Sequence, residues 1–491
     1  MNIYYIILLY FIEVAKTYLI VPLKFTNINA SNDEIKTNYL SRLYSAYLYS
    51  NMSIGSNKEE IKGILDMEQI GFFIYENAYN YNSSSSFLKD NKTNQYYKRN
   101  NEEGFLSNDT LCIYNIKDIN NPKIEKCNNE NVVKFVLLKK EQKNIEQNIY
   151  ENYSIIGLQL NNYYDENNMP LFINSFKKAD LIEYYIFSFL FNKEDINNEI
   201  VGYLLLGYEY EESDDIEIKQ FSSINKYGHS FWFISFDIIC AGLNNSYDTS
   251  TQNLFFSFHS LDAELVGSLP FVVGTYDYNM YIKFHFFYYL LLEKICNYTA
   301  VPLNPDYSTY VCDSKSESFI KDYNTKFPKL YFQHNESNTT FILDKGDLFS
   351  YNLYNESDNL IYFLVFFYNH SGQYDAIKRL KLGMPFFKKY KFSFNTDAKI
   401  IKYYEKVVNK NKKDKNEIEE EKNYTAIKII IIILLLIIFF GLGVLFHKII
   451  TKSKRKKKAN ELDDDYEYPI INHNKEDNND LGVNKEDTPK N

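Results

Sequence analysis

The chain has 491 residues, 45% of them hydrophobic and 17% aromatic, and its formal net charge is −10. This length allows one large domain or two to three smaller ones. The acidic balance, with no basic patch in the body of the chain, excludes nucleic acid as an expected partner. We also expect no metal and no cofactor, because the sequence has no Cys-x-x-Cys, paired-His, phosphate-loop or Gly-x-Ser-x-Gly motif.

The amino terminus is a short apolar segment. Its core, Ile3–Ile12, is the length of a secretory signal and is too short to span a bilayer. We therefore predict a signal peptide over residues 1–18 and a body that folds in an oxidising compartment.

The body of the chain is rich in short strand-like runs. Clusters of Asn, Asp, Gly and Ser separate these runs, a pattern that predicts strands and indicates a large all-β barrel or sandwich. The principal helix candidate extends from near Tyr278 to Cys296. The clearest strand candidates are "FSFLF", "GYLLLGY", "SFWFISFDII", "NLFFSF", "FPKLYF" and "LIYFLVFFY".

Five cysteines lie in this body. Cys112 and Cys127 are close in sequence, as are Cys296 and Cys312, so two disulfides that close small loops are expected. Cys240 is left over at the end of a hydrophobic strand, where a buried thiol is expected.

A second apolar segment lies near the carboxyl terminus. Ile429–Phe446 is long enough to cross the hydrocarbon core of a bilayer, and we predict a transmembrane helix over residues 426–447. A buried core helix is the alternative. The basic segment "HKIITKSKRKKK" follows, so a single-pass type I protein is expected, with its body lumenal or extracellular in the secretory pathway or at the cell surface. Residues 405–425 read as a charged stalk, and residues 448–491 as a disordered cytosolic tail with a "YPII" sorting motif.

Seven segments of the body follow one another in a recognisable order. The first, "YLYSNMSIGSNKEEIKGILDMEQIGFFI", contains Asp66 at the end of a hydrophobic strand. The second, "YYKRNNEEGFLSNDTLCI", begins near Tyr97, and the third, "YSIIGLQL", contains Ser154 and Gly157. The others are "IVGYLLLGY", "YGHSFWFISFDII", "FPKLYF" and "KLGMPFFKKYKFSFNTDAKIIKYYE".

This order resembles the pepsin-like aspartic proteases, and most closely the plasmepsin-type members with a carboxyl-terminal membrane anchor. The resemblance implies a bilobal double β-barrel with short helices, followed by the single transmembrane helix. The amino-terminal lobe would span residues 19–215 and the carboxyl-terminal lobe residues 216–404. It places Asp66 at the first catalytic aspartate and Tyr97 at the flap tyrosine.

The second catalytic aspartate of that family has no counterpart here. Aligned on Ala263 and Gly274, the segment "AELVGSLPFVVGTY" puts Val266 at that position. In the family, two carboxylates share a proton around a water, and valine can neither donate nor accept one. The residues that follow Asp66 and Val266 also depart from the family's Asp-Thr-Gly pattern, being Met67, Glu68, Gln69, Gly267 and Ser268. Met67 and Gly267 are not expected to hydrogen-bond between the lobes as the family's threonines do.

Two glutamates could in principle replace the missing aspartate. Glu264 lies two residues before Val266, and Glu68 two after Asp66, so either carboxylate could approach Asp66. We expect instead that both are residues of turns or the cleft rim that are exposed to solvent. Asp66 would then be vestigial, and a binding, adhesion or scaffold protein is expected, with a peptide or protein ligand in the cleft or on a lobe surface. The alternatives are an aspartic endopeptidase that uses Asp66 with a non-standard carboxylate, and a receptor whose cleft is filled by its own aromatic side chains.

Glycosylation sequons are numerous, as expected in an Asn-rich chain, and mark potential surface positions. They include Asn29, Asn91, Asn108, Asn297, Asn338 and Asn369.

Overall fold

A computed structural model describes most of the body of the chain. The described residues are 18–27, 38–89, 97–99, 102–116, 124–125, 131–139, 153–160, 170–192, 200–209, 215–223, 231–242, 256–351, 359–369 and 380–406. At 97–99, 102–103, 124–125, 131 and 256–260 only the backbone is described. The predicted signal peptide, stalk, membrane span and tail therefore lie outside the described residues.

Strands dominate the described residues, as the sequence predicts. In the first half they are β1 (Leu19–Asn27), β2 (Ala46–Ile54), β3 (Glu59–Asp66), β4 (Phe72–Tyr75), β5 (Leu88–Lys89), β6 (Tyr97–Arg99), β7 (Glu102–Ile113), β8 (Asn115–Ile116), β9 (Ile124–Glu125), β10 (Asn131–Leu138), β11 (Ser154–Gly157), β12 (Ile186–Phe191), β13 (Gly202–Leu206) and β14 (Ile216–Ser222). In the second half they are β15 (Phe233–Gly242), β16 (Phe256–Leu265), β17 (Val272–Gly274), β18 (Cys296–Val301), β19 (Asn304–Asp313), β20 (Lys329–His334), β21 (Thr339–Leu343), β22 (Phe349–Tyr351), β23 (Leu360–Phe363), β24 (Val365–Tyr368), β25 (Leu380–Leu382), β26 (Phe392–Asn395) and β27 (Ile400–Lys406).

The helices are short, and side chains cap several of them. Thr275 accepts the amide of Tyr278, and Asp344 with Asp347 forms a reciprocal capping box. The α-helices are α1 (Tyr39–Tyr44), α2 (Phe172–Lys178), α3 (Tyr276–Ile282), α4 (Tyr288–Leu292), α5 (Glu317–Thr325), α6 (Lys345–Leu348) and α7 (Met384–Lys389). A 3-10 turn covers Tyr81–Ser83, and a π-helical turn, Lys283–Phe287, joins α3 to α4.

The strands form two large sheets. The first runs β14-β27-β26-β12-β13-β1-β2-β3-β11-β4-β10-β7-β5, with β6 paired to β7. The second runs β21-β20-β15-β16-β25-β17-β24-β19-β23-β22, with β18 paired to β19. The first sheet takes in β14, β26 and β27 from the predicted carboxyl-terminal lobe, so the two predicted lobes share a sheet. Both lie within one compact unit, Met1–Val407.

The same local arrangement occurs once in each sheet. In the first sheet β3 pairs in parallel with β11, which pairs antiparallel with β4. In the second sheet β16 pairs in parallel with β25, which pairs antiparallel with β17. A short helix follows in both cases, α2 after β11 and α7 after β25. The repeat brings the ends of β3 and β16 into equivalent places.

The predicted helix near Tyr278 to Cys296 is confirmed in position but ends earlier. It extends through α3, the π-helical turn and α4, and its last residue is Leu292. Lys294 then adopts a left-handed conformation (φ 59°), which ends the helix. Cys296 already belongs to β18, opposite Cys312 on β19.

Helix α1 connects the two sheets, a feature that the sequence reading did not predict. It precedes β2 of the first sheet, yet its aromatic side chains pack on residues of the second. Tyr39 lies 4.5 Å from Tyr362 between ring centroids, and Tyr44 stacks on Phe271 at 6.1 Å. The side-chain amide of Asn304 also donates to the Tyr44 hydroxyl at 2.6 Å.

Candidate functional site

Asp66 lies at the end of β3, where the strand turns back toward β4. Its Oδ1 accepts the backbone N–H of Glu68 at 2.8 Å, and its carbonyl oxygen accepts the N–H of Leu158 at 2.8 Å. Its side chain is partly exposed. A backbone amide therefore holds this carboxylate in the strand-to-loop turn, at the place where the sequence resemblance expects the first catalytic aspartate.

Val266 occupies the matching place in the second sheet. In the first sheet Asp66 lies directly opposite Gly157. In the second, Leu265 lies opposite Leu382, and one further step in that register puts Val266 opposite Gly383. Val266 is 1% exposed, and its N–H donates to the Leu382 carbonyl at 2.9 Å. The register thus relates Val266 to Asp66 without reference to sequence similarity.

The two glycines beside these positions are required by close backbone packing. A Cβ on Gly157 would lie 2.4 Å from the Gly71 carbonyl oxygen, and one on Gly383 would lie 1.9 Å from that of Phe271. Any side chain would collide with backbone that cannot move aside. The sequence keeps the glycine in both halves but the aspartate in only one.

The residues after Asp66 and Val266 make a contact that the sequence reading did not expect. The N–H of Gly267 donates to Sδ of Met67, with an N···S distance of 3.1 Å. The expectation that these two residues cannot bond between the lobes is therefore wrong, because a thioether accepts and any glycine amide donates. Met67 is 2% exposed, so the bond is shielded from water.

Both glutamates considered as replacements for the missing aspartate lie against Lys381. The Lys381 ammonium donates to Glu68 Oε1 and lies 3.9 Å from Glu264 Oε2. Lys381 lies directly opposite Glu264 in the β16–β25 register. Glu264 is 7% exposed, so the expectation of a rim residue is wrong for it. Glu68 is partly exposed and is fixed by its ion pair.

The charges around Lys381 favour its protonated form. Burial alone would lower the pKa of Lys381, but the carboxylates of Glu68 and Glu264 outweigh it and raise the pKa. Two tyrosines lie close enough to interact electrostatically with Lys381 and Glu68. Burial is the main cause that raises the pKa of both Tyr44 and Tyr307.

The single tryptophan of the chain lies at this junction. The indole N–H of Trp232 donates to the Leu158 carbonyl at 2.7 Å, and its own carbonyl accepts the N–H of Leu265 at 2.7 Å. Leu158 is the residue whose N–H binds the Asp66 carbonyl. Trp232, 1% exposed, therefore connects the backbone beside Asp66 to the backbone beside Val266.

The other predicted site residues lie apart from this junction. Tyr97 begins β6 and pairs with Gly104 of β7, and the turn between the two strands at 100–101 lies outside the described residues. Its role as a flap tyrosine stays a prediction. The Cys296–Cys312 disulfide is confirmed. Cys112 is disulfide-bonded as well, but its predicted partner Cys127 lies outside the described residues.

Three of the predicted glycosylation sites lie at the surface. Of the sequon asparagines, Asn297, Asn338 and Asn369 are exposed, while Asn29 and Asn91 lie outside the described residues. Within the described ranges, no group of three or more His, Cys, Asp or Glu side chains could hold a metal ion. No helix of the described residues is long and apolar enough to cross a membrane.

The two large sheets, in each of which the same strand arrangement recurs, are consistent with the bilobal pepsin-like fold that the sequence resemblance implies. Comparison with known families agrees. Residues 73–256 match the family model for eukaryotic aspartyl proteases, as the sequence resemblance predicts. The match begins after Asp66 and ends before Val266. No curated protein matches the chain.

Lys381 is the residue that sequence reasoning missed. It lies within "LKL", between two buried leucines of β25. The sequence signal is a charged residue between two buried residues on a short strand inside the sheet. The side chain of that charged residue points to the opposite face of the sheet from its neighbours. Glu264 gives the same signal on β16.

Proposed function

We propose that this protein is a membrane-anchored, pepsin-like pseudoprotease that binds a peptide or protein ligand in its cleft or on a lobe surface. The observation that carries the proposal is Val266, which lies in the second sheet where Asp66 lies in the first. A pair of carboxylates divides the work of acid and base, and a valine can do neither. Peptide binding needs strand-like hydrogen bonds and side-chain pockets, which do not depend on that pair.

The contacts of Glu68 and Glu264 further support binding over catalysis. An endopeptidase built on Asp66 would need one of these carboxylates to share a proton with it. Both instead approach the ammonium of Lys381.

Localisation forms part of the proposal. We place the body in the lumen of the secretory pathway or outside the cell, anchored by Ile429–Phe446 as a type I protein. The Cys296–Cys312 disulfide supports an oxidising compartment. Resistance of the full chain to carbonate extraction, with protease access to the body only after permeabilisation or from outside the cell, would agree. Complete release by carbonate would contradict the anchor.

A cleavage assay separates the pseudoprotease from the endopeptidase. The full chain in detergent is incubated with a diverse peptide library between about pH 4 and 7, and products are identified by mass spectrometry. Asp66→Ala is compared with Asp262→Ala, which removes an exposed carboxylate elsewhere. We expect no cleavage by any of the three proteins. Cleavage by the wild type and by Asp262→Ala, but not by Asp66→Ala, would overturn the proposal.

A retention assay tests the binding part. The immobilised chain is exposed to the same library, and retained peptides are sequenced. We expect the wild type and Asp66→Ala to retain the same set, because binding does not require the carboxylate. Retention of no peptide, together with no protein partner recovered by cross-linking, would contradict a ligand-binding role.

A further inference from the structure

Lys381 is a partly buried cation with a carboxylate from each predicted lobe beside it. Glu68 belongs to the loop after β3 in the first sheet, and Glu264 to β16 in the second. The lysine itself lies on β25 of the second sheet. About a quarter of its side chain is exposed, against 8% for the Glu264 side chain. An ion pair with so little solvent access is screened less than one at the surface.

We propose that Lys381, Glu68 and Glu264 form a clamp between the two predicted lobes, and that Lys381 is a positioning residue that sets how the loop after Asp66 lies against β16 and β25. This proposal does not depend on whether the cleft binds a ligand. It gives Lys381 a role that the pepsin-like resemblance does not assign.

The clamp reaches Asp66 through Glu68. The side chain of Glu68 binds Lys381, while its backbone N–H binds Asp66 Oδ1 at 2.8 Å. Pulling Glu68 toward the second sheet therefore also orients the Asp66 carboxylate. Loss of the lysine would leave Glu68 and Glu264 as two like charges near each other, which would push the loop and β16 apart.

The clamp differs from the other contacts at this junction in its chemistry. Met67 with Gly267, and Trp232 with Leu158, are single hydrogen bonds between neutral groups. When Lys381 is removed, the two remaining carboxylates repel each other, whereas the loss of a neutral hydrogen bond produces no such repulsion. This difference makes the contribution of Lys381 separable from general packing.

Trp232 provides a built-in reporter of the junction. It is the only tryptophan in the chain, so excitation at a wavelength that tyrosine does not absorb gives emission from this one site. Its indole bonds to the residue that pairs with the Asp66 backbone. Opening of the junction would expose the indole, shift its emission to longer wavelength and increase quenching by acrylamide.

The test compares Lys381→Met with Lys389→Met in the full chain. Lys389 also lies against two carboxylates, Asp347 at 2.6 Å and Asp344 at 3.3 Å, but all three residues belong to the same predicted lobe. Lys381→Met should increase quenching of Trp232. It should also speed amide exchange over 64–72 and 263–269 by about tenfold, the scale of a local opening made easier by one lost ion pair. Lys389→Met should change neither signal.

Two further variants test the clamp if Lys381→Met does not fold. Lys381→Arg keeps the charge and should behave as the wild type. Glu68→Gln removes the connection to the first sheet while leaving Glu264 paired, and should reproduce the increased exchange over 64–72. Equal quenching and exchange in Lys381→Met and Lys389→Met, or a wild-type profile for Glu68→Gln, would overturn the clamp.

Discussion

The Gly267 amide donates to the Met67 sulfur across the two predicted lobes, at an N···S distance of 3.1 Å. Each residue directly follows one of the two equivalent positions, Asp66 and Val266. The contact shows that a hydrogen bond joins the two positions although neither residue is the threonine expected from the resembled family.

Met67→Leu should destabilise the protein by about 1–3 kcal/mol, because it leaves the Gly267 N–H buried without an acceptor while nearly conserving volume. The measurement is the free energy of unfolding in urea. Met52→Leu is the matched control, since Met52 is also fully buried in the first sheet. Equal losses in the two variants would mean that packing, and not the sulfur acceptor, accounts for the effect.

Two buried tyrosines allow the effect of a hydrogen bond on the free energy of unfolding to be measured. Within the described part of the chain the Tyr278 hydroxyl is buried with no hydrogen-bond partner, whereas the Tyr310 hydroxyl donates to Asn279 Oδ1 at 2.8 Å. Tyr278→Phe should stabilise the protein by about 1 kcal/mol, and Tyr310→Phe should destabilise it by a similar amount. Urea unfolding of both variants measures the difference. A loss of stability in Tyr278→Phe would reveal a partner for that hydroxyl.

Much of the fold could be predicted because strand periodicity is a local signal. "FSFLF", "GYLLLGY" and "FPKLYF" correspond to β12, β13 and β20. "LIYFLVFFY" looks like one strand but forms two, β23 and β24. Leu364 interrupts them because its N–H binds the Leu348 carbonyl and its carbonyl accepts the N–H of Val272. These partners belong to α6 and β17, which are distant in sequence, so no local sequence pattern predicts the interruption.

The candidate site was predictable in position but not in contacts. Motif order alone located Asp66 and Val266, and the glycines Gly157 and Gly383 follow from backbone packing that recurs in both sheets. The ion pairs of Lys381 were not predictable, since Glu68 and Lys381 are 313 residues apart. Such a pair depends on the way the two sheets meet, which a single sequence does not encode locally.

Cys240 should resist thiol reagents in the folded protein. It is fully buried, and burial raises the pKa of its thiol to about 11, so little reactive thiolate exists near pH 8. Iodoacetamide should label the peptide that contains residue 240 only after denaturation, as read by mass spectrometry. Cys296 and Cys312 should stay unlabelled until a reductant is added. Labelling of Cys240 at the denatured rate in the native protein would contradict this burial.

The buried tyrosines predict unfolding at alkaline pH. Burial is the main cause that raises the pKa of each above the ordinary value of 10.0; they are Tyr79, Tyr278, Tyr281, Tyr310 and Tyr403. The folded state holds these protons more tightly than the unfolded state. Their contribution to stability is therefore complete below pH 10 and falls as pH rises above it.

A pH titration followed by tyrosinate absorbance and far-UV circular dichroism checks this expectation. Exposed tyrosines ionise gradually near pH 10 without unfolding, so only the remaining part of the tyrosinate absorbance should rise in one cooperative step together with the loss of dichroism, since the buried tyrosines ionise only on unfolding. Tyr278→Phe should move the midpoint to higher pH, because it removes one group that binds its proton more tightly in the folded state. Tyr289→Phe changes a side chain that is 68% exposed and should leave the midpoint in place. Full tyrosinate absorbance with an unchanged dichroism spectrum would show that the hydroxyls ionise within the folded protein.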